Sequence, residues 1–111
     1  MRLVHVTDTA NVDSIRESGL EPARATGRRQ AVWLLSPSLE TWGIVHTLGK
    51  PRAEGRGVED HAVLVVDVPR AWLRRYRRGI WYCGRTIPAE RIVAVRPAAE
   101  IGRVYPKGEA R

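Results

Sequence analysis

The apolar residues of this chain come in short bursts, and that spacing limits the fold more than any other feature. The longest continuous runs, residues 31–35 and 62–66, are five residues each. A bilayer-spanning helix needs roughly 20 apolar residues in a row, so these runs suit buried strands. Each is bounded by turn formers or charges: Ser36-Pro37 after the first, Asp67 and Pro69 after the second. Between them lie two stretches with helical spacing. The pattern predicts an α+β fold in one domain spanning 1–111, with mostly antiparallel strands dominating the second half.

Along the chain, Leu3, Val4 and Val6 predict a first strand ending in the polar Thr7-Asp8-Thr9, able to cap a helix over 10–18. Gly19 stands where a left-handed cap belongs, and Leu20 can fold back onto Ile15. Residues 21–30 read as a loop, 31–35 as a buried strand, and Ser36-Pro37 as an N-cap with proline at the first helical position. Leu39, Trp42, Val45, His46 and Leu48 predict an inner helical face. Residues 50–59 carry Pro51, Gly55 and Gly57 among charges and predict a mobile loop. Strands follow at 62–68, 79–83 and 91–95, with a last edge strand at 101–105.

Composition enters through charge. Lys and Arg number 19 against 12 acids, for a formal charge of +7, and Lys50 and Lys107 are the only lysines. Guanidinium forks grip phosphates and carboxylates in pairs of hydrogen bonds, so the bias points to an anionic ligand. Eight arginines fall within 70–96 against Glu90 alone. Within that segment Arg74, Arg75, Arg77 and Arg78 are interleaved with Trp72, Tyr76, Trp81 and Tyr82, a pattern suited to gripping a nucleic-acid backbone and stacking a base. The single cysteine, Cys83, gives neither a disulfide nor a zinc site and is expected to be buried. With no apolar leader segment, the expectation is a cytoplasmic protein without a membrane.

The common catalytic motifs are absent: there is no phosphate loop, no HExxH and no GxSxG. The three histidines lack metal-ligand spacing, so no metal is expected. His61, beside Asp60, reads as surface, and His46 as facing the core or a cleft. His5 and Thr7 alternate with Val4 and Val6, placing two hydrogen-bonding groups together at a strand end.

The ordered set His5-Val6-Thr7, Ile15 with Gly19-Leu20, the arginine loop, Val32-Trp33-Leu34-Leu35-Ser36, Gly79-Ile80-Trp81 and Ile87-Pro88 with Glu90-Arg91-Ile92 resembles the ADP-ribosyltransferase superfamily. Its nearest likeness is to the C-terminal lobe of RNA 2′-phosphotransferases and to small DarT-like enzymes. The resemblance spans about residues 2–95 and implies a split antiparallel sheet with NAD in a cleft between two small sheets. It implies that His5 holds a ribose of NAD, supported by Thr7, and that Ser36 contacts the nicotinamide ribose region. Gly19 joins the cofactor-binding set, and Arg28 or Arg29 neutralises the pyrophosphate. His5, Arg29 and His46 are the catalytic candidates. The activity implied is transfer of ADP-ribose to an acceptor, nucleic acid before protein, in a toxin or modification enzyme, with an inhibitory or activating partner protein possible.

Two departures from the family pattern stand out. Ile80 occupies the place of the family's late-strand glutamate, and the N-terminal lobe of the 2′-phosphotransferases, with its catalytic Arg and His residues, has no counterpart in the sequence. Two rival readings follow from the same residues. One is a small basic RNA-binding or RNA-cleaving toxin-type module using His5 or His46. The other is a non-catalytic nucleotide-binding relative.

Overall fold

Seven consecutive residues from Arg2 to Asp8 form β1, longer at its polar end than the three apolar positions require. The computed structural model describes residues 1–25 and 29–104. Asp8 ends the strand by accepting a hydrogen bond from the Ala10 amide at 2.9 Å, which starts a short 3₁₀ turn, Thr9–Asn11. Helix α1 (Val12–Ser18) continues from it and buries Val12 and Ile15. It stops at Gly19, whose φ of 80° lies where a side chain is strained. A Cβ there would also collide with the Ile87 carbonyl oxygen. That close approach lets Leu20 and Ile87 exchange two backbone hydrogen bonds of 2.9 Å each.

The remaining strands are β2 (Val32–Leu35), β3 (His61–Asp67), β4 (Leu73–Arg77), β5 (Ile80–Cys83) and β6 (Ile92–Pro97). The helices α2 (Glu40–Leu48) and α3 (Ala98–Val104) complete the α+β fold. The strands form one six-stranded sheet in the order β4-β5-β2-β1-β3-β6, every pairing antiparallel. This corrects the expectation of two separate small sheets. The halves β4-β5-β2 and β1-β3-β6 are nevertheless joined at a single register pair, Val4 with Leu35, whereas β1 and β3 run together from Arg2↔Asp67 to Asp8↔His61.

Both faces of the sheet are covered. On one, Leu3, Val32, Leu34, Leu64, Val66, Trp81 and Cys83 pack with Ile15, Leu20 and Ile87. On the other, Val4 and Val63 pack with Ile44, Ala98 and Ile101. Leu3, Leu34, Leu64 and Ile87 are wholly buried, and truncating such a side chain to alanine costs about 2–5 kcal/mol. Leu3 shares its face with His5 and Thr7, so that face is core at β1 and not a free polar side.

Several local expectations are corrected. Residues 98–104 form a helix and not an edge strand: Pro97 closes β6, and Ala98 and Ile101, one turn apart, are both buried. The 50–59 segment, expected to be mobile, holds two short 3₁₀ turns and is tied to the end of β1 by Arg56, which donates to both Asp8 oxygens at 2.7 and 2.6 Å. On α2 the buried positions are Gly43 and Ile44, while Trp42 and Val45 are exposed, because Gly43 lets the helix backbone approach the Leu35 side chain. Ser36 forms no side-chain cap. His61 is buried, its Nδ1 2.8 Å from the Gly57 carbonyl, contrary to the surface position expected. No helix among the described residues is long and apolar enough to cross a membrane.

Candidate functional site

The sheet parts just beyond Val4↔Leu35, and His5 occupies the parting. Its Nδ1 lies 2.8 Å from the main-chain carbonyl oxygen of Trp33 on the facing strand. A carbonyl oxygen can only accept, so Nδ1 carries the hydrogen of this bond. The side chain thus takes over the cross-strand bonding that the missing ladder no longer supplies. Burial pushes the His5 pKa below its ordinary value, the Trp33 bond partly offsets this, and the cations Arg52 and Lys50 push the same way as burial. His5 is therefore neutral near pH 7, with Nδ1 as donor and Nε2 left as an acceptor. Among the described residues, no hydrogen bond engages Nε2.

Thr7, on the same face, is buried, and its hydroxyl oxygen accepts from Asn11 Nδ2 at 3.1 Å. It braces the turn into α1. Asp8, gripped by Arg56, has its pKa lowered to about 2, chiefly through that guanidinium's hydrogen bonds.

On the opposite face of β2, Trp33 meets Tyr76 edge-on at 5.2 Å and Tyr82 at 5.2 Å with a 44° tilt. Arg29 lies 4.6 Å over the Tyr82 ring and donates from Nη1 to the Tyr82 hydroxyl at 3.2 Å. Arg77 lies 5.2 Å over Tyr76. An aromatic wall edged by guanidinium groups is a general surface for stacking a planar ring beside an anion. Tyr76 and Tyr82 belong to the aromatic set that the sequence interleaves with the arginines, whereas Trp33 reads only as part of a buried strand, and strand pairing is what brings it beside them.

The predicted site residues do not converge. His5 sits at the seam and Arg29 on the aromatic wall. His46 lies on the exposed side of α2, its ring stacked on Trp42 at 4.7 Å, which corrects the core or cleft position expected for it. Gly19 packs against Ile87 on the α1 side, where its role is conformational. Arg28 lies outside the described residues. Ser36 opens onto a hollow of about 440 Å³ with Arg75 and Arg78. Arg74 borders a second hollow, of about 550 Å³, with Arg70, Trp72 and Arg85. Neither hollow includes His5. Cys83 is buried, and its thiol faces the Arg85 carbonyl at 3.3 Å, a structural position.

No family model matches the chain, and no curated protein does.

Ile80 pairs with Leu35 across β2–β5 and with Arg77 across β4–β5. Among the described residues, no carboxylate hydrogen-bonds His5 or Thr7: Asp8 is held by Arg56, and Asp60 accepts from the Gly57 amide at 2.9 Å. The described neighbours of the seam thus offer an imidazole as hydrogen-bond acceptor and guanidinium groups as positive charge.

Proposed function

We propose that the parting between β1 and β2 binds a nucleotide of the NAD type and that the protein is an ADP-ribosyltransferase-like enzyme. The reading is supported most by one observation: His5 is fixed as the Nδ1–H tautomer by Trp33, kept neutral by its surroundings, and left with an acceptor at Nε2. A ribose hydroxyl is the donor that such an acceptor suits. The wall of Trp33 and Tyr82 with Arg29 lies on the opposite face of β2, so a ligand held at His5 has to cross the parting to stack there and to bring its pyrophosphate to Arg29. When bound, NAD supplies the labile bond between ribose and nicotinamide. The chain's share is to hold the sugar at His5 and neutralise phosphate charge with arginine. The acceptor is proposed to be nucleic acid before protein.

The test is calorimetric titration with NAD and with ADP-ribose, repeated on His5→Gln. Gln preserves a donor toward the Trp33 carbonyl but presents no ring acceptor. Binding to the native chain and at least tenfold weaker binding to the variant fit the reading. No heat from either ligand at millimolar concentration overturns it. Release of free nicotinamide in the presence of total nucleic acid then separates a transferase from a binder. A non-catalytic nucleotide-binding protein is the second reading, favoured by Ile80 standing where the family pattern places an acid.

A further inference from the structure

The concentration of positive charge in 70–96 has a specific consequence in three dimensions. Strand alternation divides the β4 arginines between the two faces of the sheet. Arg75 pairs in register with Trp81, on the face of the larger core, while Arg74 pairs with Tyr82, on the other. Arg75 and Arg78 are then joined by Arg70, from the 3₁₀ turn Arg70–Trp72, around the hollow of about 440 Å³. Ser36, Ser38, Leu39, Gly79 and Trp81 complete its lining.

Three properties distinguish this hollow from a solvated basic surface. First, no carboxylate pairs with Arg70, Arg75 or Arg78 among the described residues; the ion pairs found there engage Arg24, Arg56, Arg96 and the N-terminus instead. Second, two of the guanidinium groups are held over one ring, Arg70 at 5.2 Å and Arg75 at 5.8 Å from the Trp81 centroid. Like charges gathered at one ring repel, and an anion placed among them removes that repulsion. Third, Trp81 is only 8% exposed, and its indole Nε1 is a buried donor with no partner. A buried unpaired donor carries a desolvation cost that a bound acceptor relieves.

We propose that this hollow is a binding site for a phosphate group, separate from the nucleotide site at the seam and independent of that reading. Three guanidinium forks and two hydroxyl groups with no carboxylate among them match a doubly charged tetrahedral oxyanion. The shape favours a compact group over a stacked base: Trp81 is too deeply buried to offer a ring face, and the exposed Tyr76 belongs to the opposite side of the sheet. Arg70 also borders the neighbouring hollow of about 550 Å³, where Arg74 and Arg85 lie and Arg85 sits 3.9 Å over Trp72. A phosphate carried on a nucleotide chain therefore has a cationic path leading away from the pocket. A free phosphate ion uses only the pocket.

The experiment is thermal unfolding of the full chain in inorganic phosphate, against sodium chloride at equal ionic strength. Phosphate is expected to raise the melting temperature by on the order of 5 °C at saturating concentration. The shift should be lost in the double variant Arg75→Gln with Arg78→Gln and reduced in Ser38→Ala. It should persist in Arg24→Gln, whose arginine is paired with Glu21 elsewhere. Arg75, Arg78 and Ser38 are exposed, so these variants fold, and their melting points in chloride verify it. Fluorescence anisotropy with one short oligonucleotide, 5′-phosphorylated or 5′-hydroxyl, separates the sources. Tighter binding of the phosphorylated form, lost in the double variant, assigns the phosphate to a nucleic-acid end. Equal binding of both forms, with the thermal shift retained, assigns the site to the free ion. A chloride shift equal to that of phosphate, or a phosphate shift unchanged in the double variant, overturns the proposal.

Discussion

Acidification should loosen the sheet at its seam through His5, by an amount that the geometry bounds. The ring is held neutral in the folded chain, its pKa lowered below 6.5 mainly by burial and further by Arg52 and Lys50. In the unfolded chain the same ring titrates near its ordinary value of about 6.5. Below that pH the unfolded state gains a proton that the folded state does not, so stability is lost as pH falls from about 6.5 toward the folded value. At full effect the slope is about 1.4 kcal/mol per pH unit, or at most about 2 kcal/mol between pH 6.5 and 5. The Trp33 carbonyl still accepts a bond from the charged ring, which opposes the loss and keeps it below that bound. Urea unfolding at pH 7.5, 6.5, 5.5 and 5.0, run in parallel on His5→Gln, isolates this contribution because the other titrating groups are common to both chains. With a urea dependence of about 1–2 kcal/mol/M, the midpoint of the native chain should fall more than that of the variant, by no more than about 1–2 M. Parallel curves for the two chains, or a native chain that gains stability on acidification relative to the variant, would refute the account of His5 as a neutral clasp.

Three further outcomes are expected. Gly19→Ala combines a strained φ with a collision against the Ile87 carbonyl, and should cost about 3 kcal/mol or more by chemical denaturation, breaking the Leu20–Ile87 bridge. The Asp8 carboxylate, with its pKa near 2, contributes stability that is full above about 3.8 and lost as pH falls toward 2. Asp8→Asn should therefore cost about 1 kcal/mol at pH 7, discounted for its partial exposure, and flatten the acid limb of the stability curve. Tyr82→Phe removes the hydroxyl that Arg29 reaches and should change stability by less than about 1 kcal/mol. The same variant should weaken NAD binding severalfold in the titration described above.

The elements that patterning revealed are those whose side chains are decided locally or by simple burial. Residues 62–66 are apolar throughout because β3 sits between two strands with both faces covered, so the strand reads from composition alone. Gly19-Leu20 was legible as a helix stop, since a positive φ selects glycine whatever surrounds it. The β4 strand was not legible. Its residues are Leu73, Arg74, Arg75, Tyr76 and Arg77, and an edge strand with four exposed members carries little apolar alternation. The terminal helix was misread because Ala98 and Ile101 can be scored as helix or strand until their common burial against Val4, Ile44 and Val63 is known. His61 was misread because Asp60 beside it suggested solvent, whereas the turn Val58–Asp60 brings the Gly57 carbonyl to its ring.

The candidate site divides in the same way. The sequence by itself determined an α+β chain of short strands, a histidine in alternation with valines near its start, and an arginine excess concentrated in its second half. Which groups meet was decided only by the tertiary structure. The Trp33 carbonyl reaches His5 because two strands part after one pair, an event that neither strand encodes alone. The arginines that the sequence strings together are sent to opposite faces by a register shift in β4 between Arg75 and Arg77, so Arg75 joins Arg70, Arg78 and Ser36 while Arg77 covers Tyr76. Charge is a property of composition, whereas a binding site requires charges to converge, and here it is strand pairing that makes them do so.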